Sequence, residues 1–181
     1  MKAPRIVGLD LSLAATGICH SDGSTGTVKT RPADGDARLH TIAERVRLSV
    51  GGRLTGDLLR SPVADLVVIE DLPTHAKSAG ITGMVHGAVR LILVEEDIRY
   101  ALVTPATLKK YATGKGNCGK AAMATAAQKR MGRDFGDDDN ECDAWWLWAA
   151  AMEHYRAPVV ELPAAQRKAL DVVAWPELVT R

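Results

Sequence analysis

"RIVGLDLSLAATGICHSDGSTGTVKTR", residues Arg5–Arg31, sets three short strand-like runs end to end. "RIVGLDLS" is apolar and β-branched, "ATGICHS" follows after a short link, and the turn "SDGSTG" leads into "TVKTR". Links this short join neighbouring strands as antiparallel hairpins. Inside the first run stands Asp10, with apolar neighbours on both sides. A carboxylate in the middle of a central strand is strongly unfavourable unless it is paired or coordinated.

Downstream, "DARLHTIAERVRLSV" places Leu39, Ile42, Ala43, Val46 and Val50 at helical spacing. "ADLVVIE" is a bare apolar run of the buried, parallel type and ends on Glu70. "AGITGMVHGAVRLILVEE" reads as a helix and "IRYALVT" as another strand. Three helices follow. "TPATLKKYA" has Thr104 as N-cap and Pro105 at its first position. "CGKAAMATAAQKRM" is a strong helix former, and the third helix runs from near Asp138 to about Tyr155. Three antiparallel strands followed by αβ alternation predict an α/β, ribonuclease-H-like fold: a mixed five-stranded sheet with helices on both faces. Residues 1–157 are expected to form one domain, and 158–181 a tail with the short helix "AAQRKALDVV".

The totals agree with a single domain: 181 residues, 46% hydrophobic and 25% charged. No apolar run approaches the roughly 20 residues that span a bilayer. Asp10 interrupts the apolar start, which lacks a signal peptide's layout, so a cytoplasmic protein without membrane contact is expected. Cys19, Cys118 and Cys142 are far apart and form no CxxC pair, which argues against structural zinc or a disulfide framework. The five histidines show no ligand spacing. A net charge of +1 hides clustering: Lys109, Lys110, Lys115 and Lys120, then Lys129, Arg130 and Arg133, precede the acidic "GDDDNECDAWWLW". Positive charge beside carboxylates suits a polyanion read through metal ions.

Glu70 falls at the carboxyl edge of a buried strand, where open α/β sheets place their ligands. If its strand neighbours that of Asp10, two carboxylates stand a few ångströms apart, and a divalent cation relieves their repulsion. In the acidic stretch, Asp138 as N-cap and Glu141 at N3 form a capping box, with Asp137 and Asp139 favoured by the helix dipole. That leaves Asp143, one turn further in and leading the apolar face. Asp139 or Asn140, on the same side of the helix, brings a fourth oxygen to Asp10, Glu70 and Asp143. An all-oxygen set selects Mg²⁺ or Mn²⁺, and two such ions are the usual apparatus for phosphodiester hydrolysis.

From "GLDLSLAATG" to "DNECDAWWLW" the chain resembles the RuvC-type Holliday-junction resolvases. Asp10, Ser12, Thr16 and Gly17 match the family's D-x-S-x-x-x-T-G strand-turn, Glu70 its strand-ending glutamate and Asp143 its last aspartate. "VTPATLKKYATGKGNCGK" looks like its T-P-x-x-x-K…G-x-G…K segment, with Lys109 and Lys120 in register. It departs at Asn140, where the family has an aspartate, and at Pro73, where the family tends to carry an aromatic. The resemblance implies a homodimer that nicks four-way junctions with two Mg²⁺ or Mn²⁺ ions per site. It assigns metal binding to Asp10, Glu70, Asp143 and either Asn140 or Asp139. Lys120 and Lys109 contact the phosphate or the developing charge, and Lys110, Lys115 and Lys77 the DNA. Other readings are a ribonuclease-H-like nuclease of flaps or RNA–DNA hybrids, or a non-catalytic junction-binding module. An actin-like ATPase needs a second lobe that this length does not allow. Gly80, Gly83 and Gly87, with Met84, Leu91 and Val94, suit the helix near residue 85 to form at least part of the dimer surface, packing within the chain being the other reading.

Overall fold

Alternation along the first strand explains how the sheet is covered. β1 (Ile6–Asp10) sends Ile6 to one apolar cluster and Val7 and Leu9 to another, because successive side chains point to opposite faces. β4 (Leu66–Glu70) does the same, with Leu66 and Val68 on the first face and Val67 and Ile69 on the second. The computed structural model describes residues 3–51, 64–72 and 79–178. Lys77, Pro73 and His75 therefore lie outside the described residues.

β2 (Ala15–Cys19) and β3 (Thr25–Lys29) complete an antiparallel meander with β1. β4 pairs parallel with β1, and β5 (Tyr100–Val103) parallel with β4, giving the order β3-β2-β1-β4-β5. This is the mixed five-stranded sheet expected from the sequence. α1 (Ala37–Ser49) and α2 (Ala79–Glu95) cover the second face, where Ile42, Val46, Val85, Val89 and Leu93 meet Val7, Leu9, Val67 and Ile69.

The first face is covered by α3 (Pro105–Thr113), α4 (Lys120–Met131) and α5 (Asp139–His154). Thr104 caps α3 by accepting from the Thr107 N–H, and Gly114 ends it at φ 83°. α5 is the central helix, with Trp145, Trp146 and Leu147 fully buried. Its backbone lies directly on the sheet: a Cβ on Gly8 would stand 2.2 Å from the Ala144 carbonyl oxygen, and one on Gly17 2.0 Å from that of Asn140. Only glycine lets a helix approach two strands so closely. After α5 the chain forms α6 (Ala164–Arg167) and a 3-10 turn over Lys168–Val172. The buried Gln166 donates to the Tyr111 carbonyl at 2.8 Å, and Trp175 stacks on His154, so this segment packs on the same body.

Candidate active site

Parity and register bring the acids together. Asp10 ends β1 and shares the face of Ile6 and Gly8; Glu70 ends β4 and shares the face of Leu66 and Val68. Leu9 is paired with Ile69, so the next residues along the two parallel strands, Asp10 and Glu70, emerge side by side at the carboxyl edge. Because α5 rests on Gly8 and Gly17, its second turn brings Asp143 over the same edge. Burial above all, then Asp143, pushes the Asp10 carboxyl up to about 7, against an opposing pull from Lys120. Glu70 rises to about 8 through burial, then repulsion by Asp10 and Asp143, opposed by Lys109 and Lys120. Asp143 rises to about 6 through burial, with Lys120 and Lys109 opposing. Three carboxyls and two ammonium groups thus act on one another at one point of the sheet edge.

Lys120, the first residue of α4, pairs with Asp139 at 3.1 Å. Asp139 therefore serves a cation already in the protein, while its charge still reaches Asp10 and Asp143. Asn140 turns its Nδ2 to Asp138 at 3.4 Å, and its backbone lies over Gly17, the residue opposite Asp10 in the β1–β2 register. Lys110 and Lys115 are exposed and are not among the charges that act most strongly on the three acids. Among the described residues, no three His, Cys, Asp or Glu side chains are arranged as a ready metal cage. The donor chemistry nonetheless fits a hard divalent cation: oxygen ligands only, and buried carboxylates whose ionised forms lack enough positive charge nearby.

No family model matches the chain. It is 29% identical over 153 residues to the crossover junction endodeoxyribonuclease RuvC of Alkalilimnicola ehrlichii, spanning 83% of this chain and 90% of that protein. The chain is RuvC-like. Thermus thermophilus RuvC superposes with a TM-score of 0.63 at 18% identity, over 86% of this chain and 99% of that one. The same protein in complex with Holliday junction substrate gives 0.66 at 17%, over 87% and 99%. The fold is ribonuclease-H-like.

At this site the strand-turn motif has a structural content. The buried Thr16 hydroxyl donates to the Ser12 carbonyl at 2.7 Å and accepts from its N–H, while Ser12 Oγ binds both backbone groups of Ala15. These bonds fix the turn that follows Asp10. The capping box expected at α5 is only half formed. Asp138 accepts from the Glu141 N–H at 3.2 Å, but the Glu141 carboxylate accepts instead from the Thr25 hydroxyl at 2.6 Å. Asp138 also accepts from Thr27 at 2.9 Å and lies 3.8 Å from the exposed Lys29 ammonium. Alternate residues of β3 thus clasp the start of α5, and sequence reading missed them. The only signal was the repeat of polar β-branched residues, Thr25 and Thr27, on one face of an edge strand. A cavity of about 800 Å³ lies between α4, the end of α5 and the segment after it, lined by Lys129, Arg130 and Glu153. Glu153 is ten residues beyond Asp143, about 15 Å along the helix. Asp10, Glu70 and Asp143 stand apart from this cavity, at the carboxyl edge of the sheet.

Proposed function

We propose that this protein is a metal-dependent endonuclease that resolves Holliday junctions or related branched DNA by phosphodiester hydrolysis in the cytoplasm. The observation that carries this is the meeting of Asp10, Glu70 and Asp143 at the carboxyl ends of β1 and β4 beneath α5. The RuvC of A. ehrlichii, alike along most of its length, is named a crossover junction endodeoxyribonuclease. Asp10, Glu70, Asp143 and the neutral oxygen of Asn140 would hold two Mg²⁺ or Mn²⁺ ions. Such a pair activates water and neutralises charge on both oxygens of an in-line displacement. Lys120, kept in place by Asp139, and Lys109 hold the scissile phosphate and offset its growing charge. Lys110 and Lys115 track the DNA backbone.

We further propose a homodimer through α2. Ile81, Met84, Leu91 and Val94 are 55%, 46%, 59% and 68% exposed, more apolar area on one helix than packing among the described residues covers. Gly80 and Gly87 have open space beside them. Gly80, Met84, Gly87, Leu91 and Val94 repeat at alternating spacings of four and three, as in a helix-pairing seam.

The test is incubation with a mobile four-way junction, a flap, an RNA–DNA hybrid and linear duplex, each with Mg²⁺ or EDTA. Symmetric nicking of the junction with Mg²⁺ is expected. Preference for flap or hybrid reassigns the substrate, and nicking in excess EDTA overturns the metal mechanism.

A further inference from the structure

Asp138 is held from three sides at one oxygen. Its Oδ1 accepts from the Thr27 hydroxyl at 2.9 Å, from the Glu141 N–H at 3.2 Å and from Asn140 Nδ2 at 3.4 Å. Burial pushes this carboxyl up, but Thr27, the Glu141 N–H, Asn140 and Lys29 together hold it below its ordinary value. With three donors converging on Oδ1, this carboxylate acts as an acceptor. Thr27 ties it to the edge strand β3, while its charge still reaches Asp10. Asn140 is the point of interest. A carboxylamide has two orientations related by a half-turn, and only one offers oxygen to a cation. Beside such an acceptor the amide must present nitrogen, which puts Oδ1 on its other branch. Among the described residues no hydrogen bond is made to that oxygen.

We infer that Asp138 is a positioning residue: anchored to the edge strand by Thr27, it fixes the Asn140 amide so that oxygen, not nitrogen, meets the divalent cation. The inference rests on the reading of Asn140 as a ligand given above. An aspartate at position 140 would need no such guide, because both its oxygens are ligands. Thr27 and Asp138 thus supply the orientation that a neutral ligand at position 140 requires.

The experiment is Mn²⁺ binding by calorimetry to the full chain without DNA, alongside thermal melts. Asp138→Asn keeps an equally good N-cap, but it replaces the carboxylate by a weaker neutral acceptor, and by a donor when its amide flips, so the hold on the Asn140 nitrogen is loosened. Mn²⁺ affinity should fall about tenfold with the melting temperature little changed. In an Asn140→Asp background the same Asp138→Asn change should cost almost nothing. That comparison removes the simple loss of one negative charge, which would weaken binding in both backgrounds. Asp138→Ser, which also caps, serves in the same comparison should the first variant not fold. Wild-type affinity in Asp138→Asn, or an equal loss in both backgrounds, overturns the inference and leaves the proposed function standing. Mn²⁺ binding that Asp10→Asn does not weaken overturns the cation site and the inference together.

Discussion

Single side chains set the working pH. Asp10, Glu70 and Asp143 keep their protons to about 7, 8 and 6, because burial penalises the charge and neighbouring acids repel it. In the unfolded chain they ionise near 4. Between about 4 and 8 the folded protein therefore binds more protons than the unfolded one. The stability these groups contribute is complete below pH 4 and is lost as pH rises through their folded values. Without metal, Glu70→Gln should raise the melting temperature by several degrees at pH 8 and by little at pH 5. Melts in EDTA at the two pH values check this, and a gap independent of pH would mean the carboxyl is already ionised when folded. Protons and cations compete for the same oxygens, so cleavage should climb from pH 6 to 8. Asp10→Asn, Glu70→Gln and Asp143→Asn should each abolish cleavage while junction binding, measured by gel shift, persists. The fourth ligand yields to Mg²⁺ titration. Asn140→Asp should lower the midpoint severalfold, whereas Asp139→Ala should act mainly through release of Lys120. An unchanged midpoint for Asn140→Asp counts against Asn140.

At the scale of elements, β1, β4 and α5 could be read from the sequence because each carried its own pattern. Asp10 and Glu70 broke apolar runs, and Asp143 sat one turn beyond a legible cap. What was not legible depends on partners distant in the chain. Gly8 and Gly17 are glycine because α5 crosses them, and nothing near them in sequence says so. Glu141 obeys the local rule for a capping box, yet it forms a bond with Thr25 on an edge strand. Gly17→Ala tests this layer. Its Cβ would meet Asn140 backbone that cannot swing aside, so the first turn of α5 must lift, at about 1–3 kcal/mol. Mn²⁺ affinity and cleavage should fall further than this loss of stability explains. Gly26→Ala, with open space around it, should do neither. Equal behaviour of the two variants would remove the sheet-to-helix contact from the account of the site.

For the whole molecule, the sequence order was enough to give a mixed sheet, because short links join antiparallel neighbours and helical ones return the chain in parallel. Order alone does not place β4 beside β1 rather than β3. Oligomeric state is a different matter, since an apolar stripe on a helix reads alike whether it meets its own sheet or another copy. Leu91 and Val94 are exposed among the described residues, which supports the proposed pair. Light scattering at micromolar concentration should give twice the chain mass, and Leu91→Glu should halve it while leaving the fold intact by circular dichroism. A monomer mass for the unaltered protein, with and without junction DNA, refutes the pair. Residues 158–178 dock through Gln166 and Trp175. The proposed division at 157 thus separates a nuclease body from an appendage packed on it.

The position of α2 on the face opposite α5 has a metric consequence. In the proposed pair, the path from one acid cluster to the other crosses sheet, helix, helix and sheet. Each step between layers is about 10 Å, so the centres stand on the order of 30 Å apart. The thickness of the protein would then serve as a ruler for its substrate, setting the distance between two cuts by a dimension that no single residue controls.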